Sequence, residues 1–187
     1  MLKVPANARK QYGPMSSTYD PNEHHRRSTR LKGYDYSQPG VYFITICTWQ
    51  HTGIFGDVHD GTMYLNPFGR AASQVWQGLP KYYPYVILDE FCLMPNHVHA
   101  IIILTDNHSC LLPKRHALSE IVRAFKSFST RRINSIRKTS GAPVWQRNYY
   151  EHIIRNEEAL HKIIQYIRSN PSNWDHDQEN PNLMSQK

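Results

Sequence analysis

The sequence has few cysteines and no long apolar run, and both shortages exclude classes of protein. Its 187 residues include three cysteines and no Cys-x-x-Cys pair, so neither a disulfide framework nor a zinc knuckle is predicted. Cys47 and Cys92 lie in apolar stretches and are expected to be buried, reduced thiols. The longest apolar run, Ala100 to Leu104, is far shorter than the ~20 residues of a membrane-spanning helix. The opening residues MLKVPANARKQYGP resemble no secretory signal. We therefore expect a cytoplasmic protein without membrane association.

Acidic residues are scarce relative to basic ones, and the excess is clustered. The chain has 22 Lys and Arg against 15 Asp and Glu. Residues 114–138 contain eight basic side chains and one acid, and residues 1–33 contain seven and two. Such clustering favours a polyanionic partner, nucleic acid before a membrane surface, with a merely solvated basic face as the alternative.

The hydrophobic pattern predicts the element order β-α-β-β-α-β-α. Strands are predicted at 41–49, 86–94, 97–104 and 149–154, where β-branched and aromatic residues dominate. Helices are predicted at 66–79, 118–136 and 156–170, where apolar residues recur at helical spacing. This order is that of an α+β ferredoxin-like (split βαβ) fold: an antiparallel sheet with helices on one face, plus one added C-terminal helix. We divide the chain into a flexible basic arm (1–33), one catalytic domain (34–174) and a polar tail (175–187).

The segment MPNHVHAIIIL places two histidines at the start of a strand. Residues two apart in a strand point to the same face, so His97 and His99 should lie on one side and Val98 and Ala100 on the other. Two imidazoles can share a divalent ion without filling its coordination shell, which is typical of a catalytic metal site. Two histidines that bond only to their neighbours are the alternative interpretation.

The last predicted helix carries two polar side chains beside its apolar stripe. Tyr166 and Asn170 are four residues apart and therefore neighbours on the helix surface. Tyr166 lies at the edge of the buried face, where its ring can pack while its hydroxyl faces a groove. An ordinary amphipathic tyrosine, followed by an asparagine that ends the helix before Pro171, is the alternative interpretation.

Four segments together resemble a known family. MPNHVHAIIIL, ALSEIVRAFKSFSTRRIN, VWQRNYYEHIIRN and YIRSNP, in this order and spacing, resemble the single-tyrosine HUH transposases and, within them, the REP-associated tyrosine transposases. The resemblance runs from about residue 34 to residue 174. It implies a nucleoid-associated, ferredoxin-like enzyme that binds single-stranded DNA, often next to a hairpin, and breaks and rejoins it through a 5′-phosphotyrosine. It leaves a monomer and a homodimer both open.

The same resemblance implies roles for individual residues. His97 and His99 take the places of the HUH histidines, Tyr166 that of the nucleophile, and Asn170 that of the polar third metal ligand. The implied cofactor is a divalent metal, Mg or Mn. Tyr149 and Tyr150 are rival nucleophiles by residue type, but YIRSNP matches the family's tyrosine helix better.

The basic helix and the loop after it are predicted to bind DNA. Helix 118–136 should supply phosphate contacts. Trp145, Tyr149 and Tyr150 lie beside Arg147, where unpaired bases can stack, although these aromatic side chains can equally belong to the core. The predicted DNA contacts are Arg123, Lys126, Arg131, Arg132, Trp145, Arg147, His152 and Arg155.

Two other functions fit part of the pattern. A metal-dependent nuclease would use water as its nucleophile, but such sites usually contain several carboxylates. The only acids expected nearby are Asp89 and Glu90, which precede the hairpin turn. A hairpin-binding protein derived from such a transposase would need the basic helix but not Tyr166.

Overall fold

A computed structural model describes residue 31, residues 33–106 and residues 116–181. Almost all of the predicted basic arm, Cys110 and residues 182–187 lie outside these ranges. Within the described ranges, no helix combines the length and apolar character that a membrane crossing requires.

The described residues form six strands, four α-helices and two short 3-10 helices. The strands are β1 (Gly40–Cys47), β2 (Gly56–His59), β3 (Thr62–Leu65), β4 (Val86–Leu93), β5 (His97–Leu104) and β6 (Tyr150–Ile154). The α-helices are α1 (Pro67–Gln77), α2 (Leu79–Tyr82), α3 (Leu118–Ile136) and α4 (Glu157–Ser169). The 3-10 helices are Trp49–His51 and Pro171–His176.

Four strands form one antiparallel sheet in the order β4-β5-β1-β6. This order, with α1 and α3 as the connecting helices, is the predicted ferredoxin-like arrangement, and the prediction is confirmed. The sequence pattern did not predict the separate β2–β3 hairpin. Its turn is Asp60-Gly61, and both residues have positive φ, 49° and 70°, as a two-residue hairpin turn requires.

The sheet is covered on both faces. Side chains of β1 and β5 point alternately to its two faces, and a hydrophobic cluster lies on each. Tyr42, Ile44 and Ile46 of β1 pack with α1 and α3 on one face. Phe43 points to the other face, where it packs with Ile167 of α4. Each fully buried large apolar side chain contributes roughly 1.5–3 kcal/mol to folding. α4 therefore lies on the face opposite α1 and α3.

The buried stripe of α3 resolves one alternative left open by the sequence. Either Phe128 or Ser129 fits helical spacing, and Ser129 is the buried one, whereas Phe128 is 44% exposed. Ser129 is satisfied there because its hydroxyl donates to the Phe125 carbonyl at 2.6 Å and accepts from Trp145 Nε1 at 2.8 Å.

Candidate active site

The two histidines lie side by side at the start of β5, an inner strand of the sheet. In the register with β1, His97 is opposite Cys47 and His99 opposite Thr45. Both imidazoles are buried, at 0% and 2% exposure, and their ring centroids are 4.5 Å apart. His99 stacks on Phe43, so the pair lies on the face covered by α4.

The hydrogen bonds of Asn96 determine which nitrogen of His97 is free. Asn96 Nδ2 donates to the carbonyls of His51 and Glu179, at 3.0 and 2.6 Å. Its Oδ1 then accepts from His97 Nδ1 at 2.9 Å. His97 Nε2 consequently carries a lone pair, and this atom is buried without a hydrogen-bond partner among the described residues.

His99 is held between β1 and α4. Its Nδ1 lies 2.9 Å from Thr45 Oγ1, and its Nε2 lies 3.1 Å from the Tyr166 hydroxyl. The Tyr166 ring packs edge-on against Phe43 while the side chain as a whole is 47% exposed. The structure thus places Tyr166 and both histidines in one site within a single chain.

A buried carboxylate joins this site from beyond α4. After Asn170, the 3-10 helix Pro171–His176 turns the chain back and places Asp177 Oδ2 3.9 Å from His97 Nε2. Asn170 Nδ2 donates to the same carboxylate oxygen at 2.6 Å, and Asn170 Oδ1 is left buried without a hydrogen-bond partner in the described chain. One ligand atom each from His97, His99 and Asp177 lie within 4.8 Å of one another.

The position of Asp177 corrects two expectations. The segment interpreted as a polar tail from residue 175 contains buried Asp177 and Asn180 and forms one wall of the site. Asp89 and Glu90 are also not the acids nearest the histidines. Glu90 instead accepts from Arg168 Nε of α4 at 2.7 Å, which ties α4 to β4.

Burial controls the charge state of each of these groups. It lowers the pKa of His97, although nearby Asp177 opposes the shift. Burial and then the neighbouring His97 lower the pKa of His99 to about 2. Both imidazoles are therefore neutral at pH 7, the form that binds metal ions. Burial, followed by the charges of Asp177 and Glu179, raises the pKa of Tyr166 to about 12, so its hydroxyl keeps its proton.

These residues fit a divalent cation. Two neutral imidazoles and the Asp177 carboxylate converge in one buried place, and Asn170, whose Nδ2 is bonded to that carboxylate, has an unpartnered oxygen. Nitrogen and oxygen ligands of this kind suit Mn²⁺, and the oxygen ligands also suit Mg²⁺. Without a cation, the buried polar atoms would stay unsatisfied, which costs free energy.

A cavity of about 1110 Å³ opens beside Tyr166. It lies beside the end of β1, where the pairing of β1 with β6 stops at Thr45 and Gln146 N donates to the Cys47 carbonyl instead. α3, the loop 146–149 and the segment after α4 surround it. Among the residues that line it are Cys47, His51, His99, Arg123, Lys126, Arg147, Tyr149, Tyr150, Tyr166, Asn170, Asp177 and Glu179.

The structure brings only some of the predicted DNA contacts to this cavity. Arg123, Lys126 and Arg147 line it. Lys126 is already engaged, since its Nζ donates to the carbonyls of residues 146, 147 and 148 at 2.8–3.4 Å; it holds this loop in place. The predicted contacts that are exposed but do not line the cavity are Arg131, Arg132, His152 and Arg155.

Trp145 is a core residue, which decides between the two interpretations that the sequence left open for it. Its ring packs against Phe55 and Phe125, with centroids 5.0 and 5.3 Å away, and its exposure is 7%. Tyr150, by contrast, is 45% exposed and lines the cavity.

Comparisons with known proteins find a matching family and similar proteins. Residues 73–170, which are 98 of the 187 residues, match the family described as IS200-like transposase. An uncharacterized protein of Haemophilus influenzae is 41% identical over 179 residues, covering 88% of this chain and 98% of that protein. A putative REP-associated tyrosine transposase of the same organism is 27% identical over 142 residues, covering 73% of each. A solved REP-associated tyrosine transposase bound to a REP hairpin has a similar fold, with a TM-score of 0.53 and 16% identity over 78% of this chain and 72% of that one.

Proposed function

Because the chain belongs to the IS200-like transposase family, we propose that it nicks and rejoins single-stranded DNA through a covalent bond between Tyr166 and a 5′-phosphate. The observation that carries the proposal is the 3.1 Å contact between the Tyr166 hydroxyl and His99 Nε2, next to the buried ligand group. The solved relative bound to a REP hairpin supports DNA that contains a hairpin as the substrate.

The ligands for a divalent cation, Mg²⁺ or Mn²⁺, would be His97, His99, Asn170 and Asp177. When bound, such a cation polarises the scissile phosphate and stabilises the negative charge that develops in the transition state. Asn96 and Thr45 hold the two imidazoles in place through Nδ1. His99 Nε2 has a single lone pair. A cation bound to this nitrogen would therefore replace its hydrogen bond with the Tyr166 hydroxyl.

Tyr166 would act as the nucleophile. Its hydroxyl oxygen forms a bond to phosphorus, the bond from phosphorus to the 3′-oxygen breaks, and the departing oxygen takes up a proton to become a 3′-hydroxyl. The phenol proton passes to water, which reaches the half-exposed ring from the cavity. Since the phosphotyrosine keeps the bond energy, a second 3′-hydroxyl reverses the step and joins a new strand.

The cavity would hold the DNA next to Tyr166. Arg123 and Arg147 are exposed at its edge and can each neutralise a phosphate. Tyr150 presents an exposed ring on which an unpaired base can stack. Tyr166 and the histidines belong to one chain, so this proposal requires no partner subunit.

A denaturing gel tests the proposal. The protein is incubated with labelled single-stranded hairpin DNA and Mn²⁺, and covalent protein–DNA adducts are counted. Tyr166→Phe should form no adduct. Tyr150→Phe is the matched control, because Tyr150 lines the same cavity and is 45% exposed against 47% for Tyr166. It should form the adduct at a comparable level.

A nuclease that uses water is the second candidate, favoured by one observation. The buried Asp177 carboxylate beside His97 is a group that can orient or deprotonate a water molecule. In the same gel, a free 5′-phosphate product without any adduct would support this nuclease. DNA binding without cleavage would support a hairpin-binding protein.

A further inference from the structure

A second group of ligand atoms lies in the same cavity, beside the first. Cys47 ends β1, His51 ends the 3-10 helix that follows, and Glu179 comes from the segment beyond α4. One ligand atom from each lies within 4.8 Å of the other two. The proposed DNA reaction uses none of these three side chains.

The distances within this group are those of ligands around one ion. Glu179 Oε2 lies 3.4 Å from Cys47 Sγ and 2.9 Å from His51 Nδ1. Bonds of ~2.0–2.3 Å in a tetrahedral zinc site place neighbouring ligand atoms roughly 3.3–3.7 Å apart. The two separations that involve Glu179 Oε2 are within about half an ångström of that range, and the third is below 4.8 Å.

The direction of the His51 nitrogen supports the same interpretation. Although His51 Nδ1 is close to the carboxylate, it makes no hydrogen bond within the described chain and is itself buried. Two ligands of one ion point at the ion and not at each other, so a short distance without hydrogen-bond alignment is what such a pair shows. His51 Nε2 lies 2.6 Å from the amide nitrogen of Gln146. Metal binding through Nδ1 requires the tautomer with its hydrogen on Nε2, and a 180° rotation of the Gln146 amide, which exchanges its oxygen and nitrogen, supplies the acceptor for that hydrogen.

The backbone around these side chains is held in place at a conformational cost. Gln50 and His51 both have positive φ, 55° and 53°, a region that residues other than glycine seldom occupy. Asn96 Nδ2 donates to the carbonyls of His51 and Glu179, so one side chain fixes both segments. Strained residues held by their surroundings are found most often at functional sites.

We propose that Cys47, His51 and Glu179 bind a thiophilic divalent cation, Zn²⁺ by preference, with its fourth position open to the cavity. A thiolate, an imidazole and a carboxylate are ligands that zinc accepts, and thiolate disfavours Mg²⁺ and Mn²⁺. Binding releases the Cys47 thiol proton to solvent. The site is separate from the group around His97 and does not rest on the proposed DNA reaction.

Cobalt substitution tests the proposal on the full-length protein. Co²⁺ bound to a thiolate gives a sulfur-to-cobalt charge-transfer absorption, which a site made only of nitrogen and oxygen ligands lacks. Wild-type protein should show this absorption with one equivalent of Co²⁺, and Zn²⁺ should remove it by competition. Cys47→Ser should abolish it. Cys92→Ser is the matched control, because Cys92 is also a free, half-buried thiol outside the group, and it should retain the absorption.

Two further variants separate this site from the first and from misfolding. His97→Ala should keep the absorption, since His97 belongs to the other ligand group. Glu179→Gln keeps the shape of the side chain and leaves Cys47 in place, and it should weaken Co²⁺ binding by at least ~10-fold. If Cys47→Ser fails to fold, this variant tests the proposal in its place. No thiolate absorption in the wild type, its persistence in Cys47→Ser, its loss in Cys92→Ser or His97→Ala, or unchanged affinity in Glu179→Gln would overturn the proposal.

Discussion

Replacing Asp177 by asparagine should weaken divalent metal binding without dismantling the site. Asp177 Oδ2 accepts from Asn170 Nδ2 at 2.6 Å, and an asparagine side-chain oxygen can accept the same hydrogen bond. The substitution therefore removes the negative charge and keeps the local geometry. The loss of metal affinity then measures how much the negative charge of Asp177 contributes to metal binding.

The magnitude follows from the distance between Asp177 and His97. Asp177 Oδ2 lies 3.9 Å from His97 Nε2, so about 4 Å is an upper bound for its distance from a cation that both side chains ligate. At that distance, a double charge and a single charge attract by ~2 kcal/mol even with the dielectric constant of water. Because Asp177 is buried, this value is a lower bound. We expect Mn²⁺ affinity to fall by at least ~30-fold.

Mn²⁺ titration followed by the electron paramagnetic resonance of the free ion gives this affinity directly. Asp175→Asn is the matched control, since Asp175 is an exposed acid two residues earlier in the chain. DNA cleavage by Asp177→Asn should recover at high Mn²⁺, while hairpin binding without metal stays close to that of the wild type. Equal Mn²⁺ affinities of Asp177→Asn and the wild type would refute the assignment of Asp177 to the metal site.

Three other substitutions test separate parts of the structure. Trp145→Ala should lower the free energy of unfolding by ~3–5 kcal/mol in urea titrations, because it empties a core position; a loss below ~1 kcal/mol would contradict its burial. Arg123→Ala should reduce the salt dependence of DNA binding by about one phosphate contact, measured by fluorescence anisotropy at several salt concentrations. Arg131→Ala, outside the cavity, should leave that slope unchanged, and equal slopes for the two variants would contradict the proposed path of the DNA. Asn156→Ala should destabilise α4 by ~1 kcal/mol in thermal unfolding, because its side chain caps the helix at Ala159 N; an unchanged midpoint would show that this cap contributes little.

Long segments with a regular hydrophobic pattern were predictable from the sequence, because their apolar residues are the ones that the fold buries. The predicted bounds of β5 and α3 match the structure, since both elements bury a continuous apolar face. The strict alternation of side chains in a strand also predicted that His97 and His99 share one face. The structure adds that this face is covered by α4, which carries Tyr166.

The β2–β3 hairpin was missed because its strands are short. Each has four residues and no continuous apolar face, so hydrophobic periodicity does not detect it. The Asp60-Gly61 pair was the available indication, since this dipeptide favours two-residue hairpin turns.

Asp177 and Glu179 could not be placed from local sequence. They follow Pro171 in a segment without periodicity, and their positions depend on where α4 lies and how the 3-10 helix turns the chain back. Trp145 was ambiguous for a different reason. An aromatic residue beside an arginine in a loop fits both a stacking platform and a core position, and only the packing against Phe55 and Phe125 distinguishes them.

Peptide mapping of the DNA-linked protein is the most direct test of the proposed chemistry. The wild-type protein would be incubated with single-stranded hairpin DNA and Mn²⁺, digested with protease and nuclease, and analysed by tandem mass spectrometry. We predict a nucleotide attached through its 5′-phosphate to Tyr166 alone. A nucleotide on Tyr149 or Tyr150, or cleaved DNA with no modified peptide, would contradict the assignment of Tyr166 as the nucleophile.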